Sequence, residues 1–249
     1  KLNTHSKKIA CQTCHIPEYA RGDIATKMVW DWSTAGKMDE GGHPYKAMGS
    51  EGRANYDSKK GDFSWEKNVI PEYQWFNGKV NYTLFGDEID PDVLLKINDF
   101  AGSPDDPDSR IWPVKVMKGK QPYDAGRNTL AVFHAAGKDD TAYWSNFDWG
   151  KAVKVGMASR GVEYSGEVGF VETEMRWPIT HMVAPKADAL QCEQCHRKIG
   201  RLEGIEGVYL PARDSFPLID KAGFTLALLA LLGVLVHGLG RYIAAKRRG

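Results

Sequence analysis

The chain has 249 residues, a formal net charge of +1, 42% hydrophobic and 26% charged residues. That balance describes an ordinary folded domain and carries no nucleic-acid signal, which would need a clustered excess of Lys and Arg. Roughly 220 residues precede an apolar tail, enough for one domain or two small ones.

From the N-terminus, residues 1–15 read as a short lead into a compact turn bearing Cys11-Gln12-Thr13-Cys14-His15, and Pro17 limits any helix beyond it. The same spacing returns at Cys192-Glu193-Gln194-Cys195-His196, and these two units use all 4 cysteines. Two thiols at that separation add across the two vinyl groups of one porphyrin, and the His that follows falls beneath the iron as proximal ligand. Zinc sites, redox dithiols and disulfides also use paired Cys-x-x-Cys units, but none needs a His directly after the second cysteine. The expectation is two covalent haems c, one on Cys11, Cys14 and His15, the other on Cys192, Cys195 and His196. Haem c is loaded outside the cytoplasm, so the domain is expected on the periplasmic or equivalent face. No charged-then-apolar leader precedes Lys1, which reads as a cleaved leader or as a chain starting partway into a longer protein.

Further along, a glycine-rich polar loop is expected from Met38 to Asp62, with His43 exposed in it. Tyr73-Gln74-Trp75-Phe76, then Asn77-Gly78, then Val80 to Phe85 predicts a β-hairpin with a type I′ turn. Asp90 and Pro91 open a short predicted helix to Asn98, and Ser103 to Asp108 must be loop. Asp105, Asp106 and Asp108 lack the spacing of a calcium loop and read as a solvated turn. Trp112 to Met117 suggests a strand interrupted by Pro113. Lys118-Gly119-Lys120 is a candidate holder of an anion or a haem propionate, with a solvated turn the better reading. Asp148 to Arg160 predicts a helix capped by Asp148 and ended by Gly161. The 8 tryptophans read as core and haem-packing residues. The expected fold is mainly α with much irregular structure and a small β-hairpin: a haem-bearing domain over 1–219 and a transmembrane anchor with a basic tail over 220–249.

The anchor rests on the uncharged run from Ala222 to Leu239, roughly 27 Å long as a helix and close to a bilayer core. Asp220 and Lys221 stop it on one side; Arg241, Lys246, Arg247 and Arg248 follow on the other. The positive-inside rule puts those basic residues in the cytoplasm and the haem domain outside an inner membrane. His237 lies near the cytoplasmic end of this helix. It is read either as a b-haem ligand or quinone-site residue shared with a membrane partner, or as an interfacial His bonded to a neighbouring helix.

A six-coordinate haem needs a distal ligand besides the His of its motif, so the remaining histidines are candidates. His181, in the apolar setting Trp177 to Val183, and His5, just before the first motif, rank highest. His134 follows, His43 ranks low, and Met182 is a weaker alternative.

The stretches CQTCHIPEYARG, TKMVWDWSTAGK, WEKNVIPEYQWFNG, GKQPYD, YWSNFDW and FVETEMRWPITHMVAPKADALQCEQCH resemble the C-terminal part of the octahaem tetrathionate reductase family of multihaem cytochromes c. The resemblance covers about His5 to Asp214. It implies that the first motif matches one of that family's late haem sites and the second its last, and that His5 and His181 stand where members carry distal histidines. The family's substrate-binding haem, with a lysine as ligand, belongs upstream of Lys1, so no catalytic residue transfers. With motifs for two haems against the family's eight, the chain reads as the C-terminal piece of a longer or split protein, completed by a multihaem subunit or a missing N-terminal part. The membrane tail, a departure from the family, suggests coupling to quinone or to a cytochrome b type subunit.

The function that follows is electron relay between a membrane partner and a periplasmic multihaem assembly. The alternatives are a share in a reductase of tetrathionate, nitrite or hydroxylamine with a substrate-binding haem, and a mainly structural anchoring role.

Overall fold

The computed structural model describes residues 5–248. Two compact units divide the chain: Lys1–Leu190 with Gly204–Gly207, and Gln191–Glu203 with Val208–Gly249. The first holds α1 (Cys11–His15), β1 (Thr26–Asp31), β2 (Lys46–Met48), β3 (Ala54–Asp57), β4 (Gly61–Glu66), β5 (Glu72–Phe76), β6 (Val80–Tyr82), β7 (Leu95–Lys96) and β8 (Asn98–Phe100). It continues with β9 (Arg110–Asp124), β10 (Thr129–Leu130), α2 (Tyr143–Asn146), α3 (Trp149–Ala158) and β11 (Val168–Pro178). The second holds α4 (Cys192–Cys195) and α5 (Pro217–Arg248).

The expectation of a mainly α protein is overturned. A mixed sheet of 9 strands in the order β2-β3-β4-β1-β9-β11-β7, with β5 and β10 also on β9, organises the first unit. Strands take 27% of the residues and helices 25%. Strand β9, 15 residues long, pairs antiparallel with β11 from Val114↔Pro178 to Asp124↔Val168. At Val114 it also pairs with Glu72 of β5, so β5 and β11 lie on opposite edges, and β1 takes the β5 edge farther along, parallel, at Lys118 to Lys120. The strand expected from Trp112 to Met117 lies inside β9; Pro113 and Pro122 hid the rest of its length, because proline cannot donate to a ladder. The carbonyl of Pro113 is used all the same, accepting from the Ile179 amide at 2.9 Å.

Lys118-Gly119-Lys120 is mid-strand and not a turn. A Cβ on Gly119 would lie 2.5 Å from the Trp30 carbonyl, so the parallel approach of β1 to β9 needs glycine there. The predicted hairpin does not form either: β5 joins β9, and β6 pairs with β8 in a separate two-stranded sheet. A type I′ turn needs two residues with positive φ, and of Asn77 and Gly78 only Gly78 has it, at +88°. Asn77 instead accepts the Lys79 amide at 3.0 Å and donates to Asp106 at 2.7 Å. The predicted helix from Asp90 to Asn98 is a turn followed by β7, and the long loop from Met38 to Asp62 contains β2 and β3. The Asp148 cap holds, with the Lys151 amide donating to its carboxylate at 3.0 Å, and Gly161 ends that segment with φ +69°.

Two apolar clusters flank β9. Phe100, Val114 and Val116 pack with Phe76 and Val80; Ile16, Tyr19, Ala20 and Ile179 pack with Met28 and Val69. A third group is aromatic: Trp30 stacks on Trp32 at 4.7 Å, and Trp32 meets Phe133 and Trp149 edge-on at 5.1 and 6.1 Å.

Strand β1 contains a bulge. Its register with β4 pairs Lys27 with Trp65 and then Val29 with Ser64, leaving Met28 as the extra residue. One extra residue reverses the alternation. Lys27, Trp30, Phe63 and Trp65 therefore share a face, and the Lys27 ammonium lies 3.7, 4.0 and 5.3 Å from the Trp30, Phe63 and Trp65 ring centres. Burial, with repulsion from Lys60 and Lys115, pushes Lys27 down to about 8.

Ile111 is fully buried in β9, so Ile111→Ala is expected to cost about 2–5 kcal/mol, read as a lower thermal unfolding midpoint by circular dichroism; an unchanged midpoint would deny β9 its central place. Lys27 binds protons more weakly folded than unfolded, so its contribution to stability rises as pH climbs from 8 toward the ordinary lysine range. That rise is expected in pH-dependent denaturation of the parent protein and not of Lys27→Met; equal slopes would contradict it.

Candidate functional site

The first motif is closed into a single turn by the short α1. Cys11 and Cys14 stand three residues apart, the spacing that puts two side chains on one side of a helix. Thr13, between them, is 1% exposed, and its hydroxyl donates to the Ile111 carbonyl at 2.6 Å. The Ala10 amide donates to that same carbonyl at 3.0 Å, and the Ile111 amide donates to Lys8 at 2.8 Å. These bonds fix the turn to β9 from below while Cys11 stays exposed and His15 half-buried. From above, the Ala184 amide donates to the His15 carbonyl at 2.7 Å and the Leu190 amide to the Cys14 carbonyl at 2.9 Å. The chain leaving β11 thus runs along the first motif.

The second motif forms α4 in the other unit. Gln191 caps it, with the Gln191 amide donating to the Gln194 side chain at 2.8 Å, and the His196 amide closes back on Cys192 at 2.9 Å. A Cβ on Gly200 would lie 2.7 Å from the Cys195 carbonyl, so the chain after His196 turns where only glycine fits. Arg213 ties the following loop together, donating to the carbonyls of Leu202, Glu203 and Val208 at 3.2, 3.1 and 2.7 Å and pairing with Asp214. Beyond it α5 is long and apolar enough to cross a membrane, and its side chains are exposed. His237 is one of them.

The other predicted histidines have different settings. His5 opens a turn in which the Lys8 and Ile9 amides donate to its carbonyl, ahead of the first motif. His43 is exposed in its loop, its ring 3.7 Å from Asp39. The Nε2 of His134 is 3.2 Å from Asp139, whose carboxyl is held well below the usual range by Thr141 and then by His134. His181 lines an apolar cleft of about 710 Å³, together with Tyr19, Ile24, Lys115, Trp177 and Met182. That volume lies within the range of cofactor pockets. Burial, with nearby Glu66 and Glu72, pushes Tyr19 up to about 12, so its hydroxyl stays protonated. Two lining residues that are not glycine, Ala20 and Met182, hold φ of +56° and +68°. Such strain gathers at ligand clamps.

The donor set fits a covalent haem: paired thiols on one turn followed by an imidazole, twice, with an apolar, His-bearing cleft in the first unit. Sequence reasoning missed Thr13 as a tether, the cleft, and Lys115 within it. None has a motif, because each depends on what β9 carries to the same place.

The family described as "Cytochrome c bacterial" matches residues 27–199, a range that begins after the first motif and takes in the second. No curated protein sequence matches the chain. Among solved structures the chain is similar to the crystal structure of octaheme cytochrome c from Shewanella oneidensis. Identity is 42% and the TM-score 0.76, over 86% of this chain and 50% of that one. The chain thus spans about half the length of that relative. Covalently bound haem c is the cofactor this kinship implies. With a family match over most of its length and a similar solved octahaem structure, the chain belongs to the bacterial multihaem c-type cytochromes.

Proposed function

We propose that the chain is an electron-relaying, dihaem portion of an octahaem-type cytochrome. Cys11 and Cys14 would hold one haem and Cys192 and Cys195 the other, with His15 and His196 as proximal ligands. The observation that carries this reading is the closure of both Cys-x-x-Cys-His units into single turns held by their own backbone bonds. When bound, each haem supplies one-electron exchange between ferric and ferrous iron. The chain's own residues do the rest. Thr13 and Ala10 hold the first pair of thiols against β9, so the imidazole of His15 is presented from a fixed turn. Tyr19, Ile24 and Trp177 line the apolar cleft, and His181 would offer its imidazole there as a distal ligand. His5, beside the first motif, is the next candidate.

Coverage of half the relative's length supports further haems on a partner subunit or an upstream part of the same polypeptide. The exposed apolar α5, ending in Arg241, Lys246 and Arg247, supports a membrane anchor with its basic end in the cytoplasm and the haem-bearing residues in the periplasm. A quinone or cytochrome b type partner would then lie within reach of His237.

Denaturing mass spectrometry is expected to find two haems per chain, and EPR of the oxidised, detergent-extracted protein two low-spin centres that added nitrite or hydroxylamine leave unchanged. His181→Ala is expected to turn one low-spin signal high-spin. A haem count below two would overturn the dihaem reading, and a high-spin centre in the parent protein that responds to either compound would overturn the relay reading and move catalysis into this chain.

A further inference from the structure

Lys115 is a cation without an anion. It stands on β9 opposite Trp177 of β11, and both residues line the cleft. Its ammonium donates to the Thr26 hydroxyl at 2.5 Å. Among the described residues no carboxylate comes within ion-pair distance of it. The carboxylates that act on the cleft, Glu66 and Glu72, do so at Tyr19, and Glu72 is paired with Arg176 at 3.5 Å. Lys27, set by the bulge in β1, is close enough to Lys115 for the two to repel; it lies against aromatic rings, and among the described residues no carboxylate comes within ion-pair distance of it. Burial holds the Lys115 amine below its ordinary range. Half-buried positive charge without a counter-charge is costly, and it is retained where a ligand brings the negative charge.

We propose that Lys115, backed by Lys27, receives a propionate carboxylate of the haem whose face lies in the cleft. The proposal rests on the reading that a haem occupies that cleft. It adds the second of two fixed points: His181 addresses the iron, and Lys115 addresses the acidic edge. Thr26 holds the ammonium in place as its hydrogen-bond acceptor. Trp177, paired with it across the strands, lines the same cleft.

The test uses the full haem-loaded protein in detergent, with the haem carboxylates labelled with carbon-13. It reads their redox-difference infrared bands and each haem's reduction potential in Lys115→Met, Lys115→Arg and Thr26→Val. In Lys115→Met a labelled carboxylate band is expected to shift and one potential to fall, because a lost positive charge favours the oxidised iron. Lys115→Arg is expected to stay near the parent, and Thr26→Val to move both readings the same way by less. Unchanged labelled bands in Lys115→Met overturn the proposal, even if a potential moves, since Lys115 would then serve a different acid. Should Lys115→Met fail to load haem, Thr26→Val decides by the same bands. A high-spin signal in His181→Ala with unmoved bands would keep the haem in the cleft and discard Lys115's part. Shifted bands without that signal would keep Lys115 and remove His181 as the iron ligand.

Discussion

A buried strand must have its amides and carbonyls answered along both edges, and β9 meets that demand with segments from across the first unit. β11 covers one edge only as far as Val114. Beyond it the same edge would be left open at Ile111, which is fully buried. The residues leading into the first motif close that gap: Lys8 accepts from the Ile111 amide, and Ala10 and Thr13 donate to its carbonyl. The first Cys-x-x-Cys-His turn is therefore held where it is by the need to complete a sheet.

The same economy shapes the cleft. After Pro178 the chain leaves the ladder, spends the Ile179 amide on Pro113, and returns along the motif it will later match. Ile16, directly after His15, and Ile179, two residues before His181, share one apolar cluster. The two histidine-bearing segments are thus coupled through packing as well as through the Ala184 to His15 bond. A substitution in that cluster would disturb both together.

What could be read without coordinates was the chemistry carried by adjacent residues. Both motifs, the Asp148 cap and the apolar tail are local, and local signals survive tertiary context. Tyr73 to Phe76 and Trp112 to Met117 read as strands, but the pairing of the sheet was not legible. Strand β9 carries two prolines, a glycine and outward lysines where a central strand would show an apolar run, and its partners come from residues far apart in the chain. Asn77-Gly78 misled because β9 offered β5 a longer partner than β6 could. Lys115 and Lys27 carry no motif, since nothing in the neighbouring residues reports which face of a sheet they reach. Met182 shows the limit most plainly: its backbone is left-handed, with φ of +68°, and no glycine announces it.

The bulge at Met28 divides the tolerances of β1 into two kinds. Exchanging the side chain at 28 alters packing against the Ile16 cluster and leaves the strand's parity intact. Removing the residue would straighten the strand and leave Lys27, then two places before Trp30, on the same face as the aromatic group. Loss of the bulge thus keeps the charge on its side of the sheet, whereas a straight strand of the present length would carry Lys27 to the opposite face from Trp30.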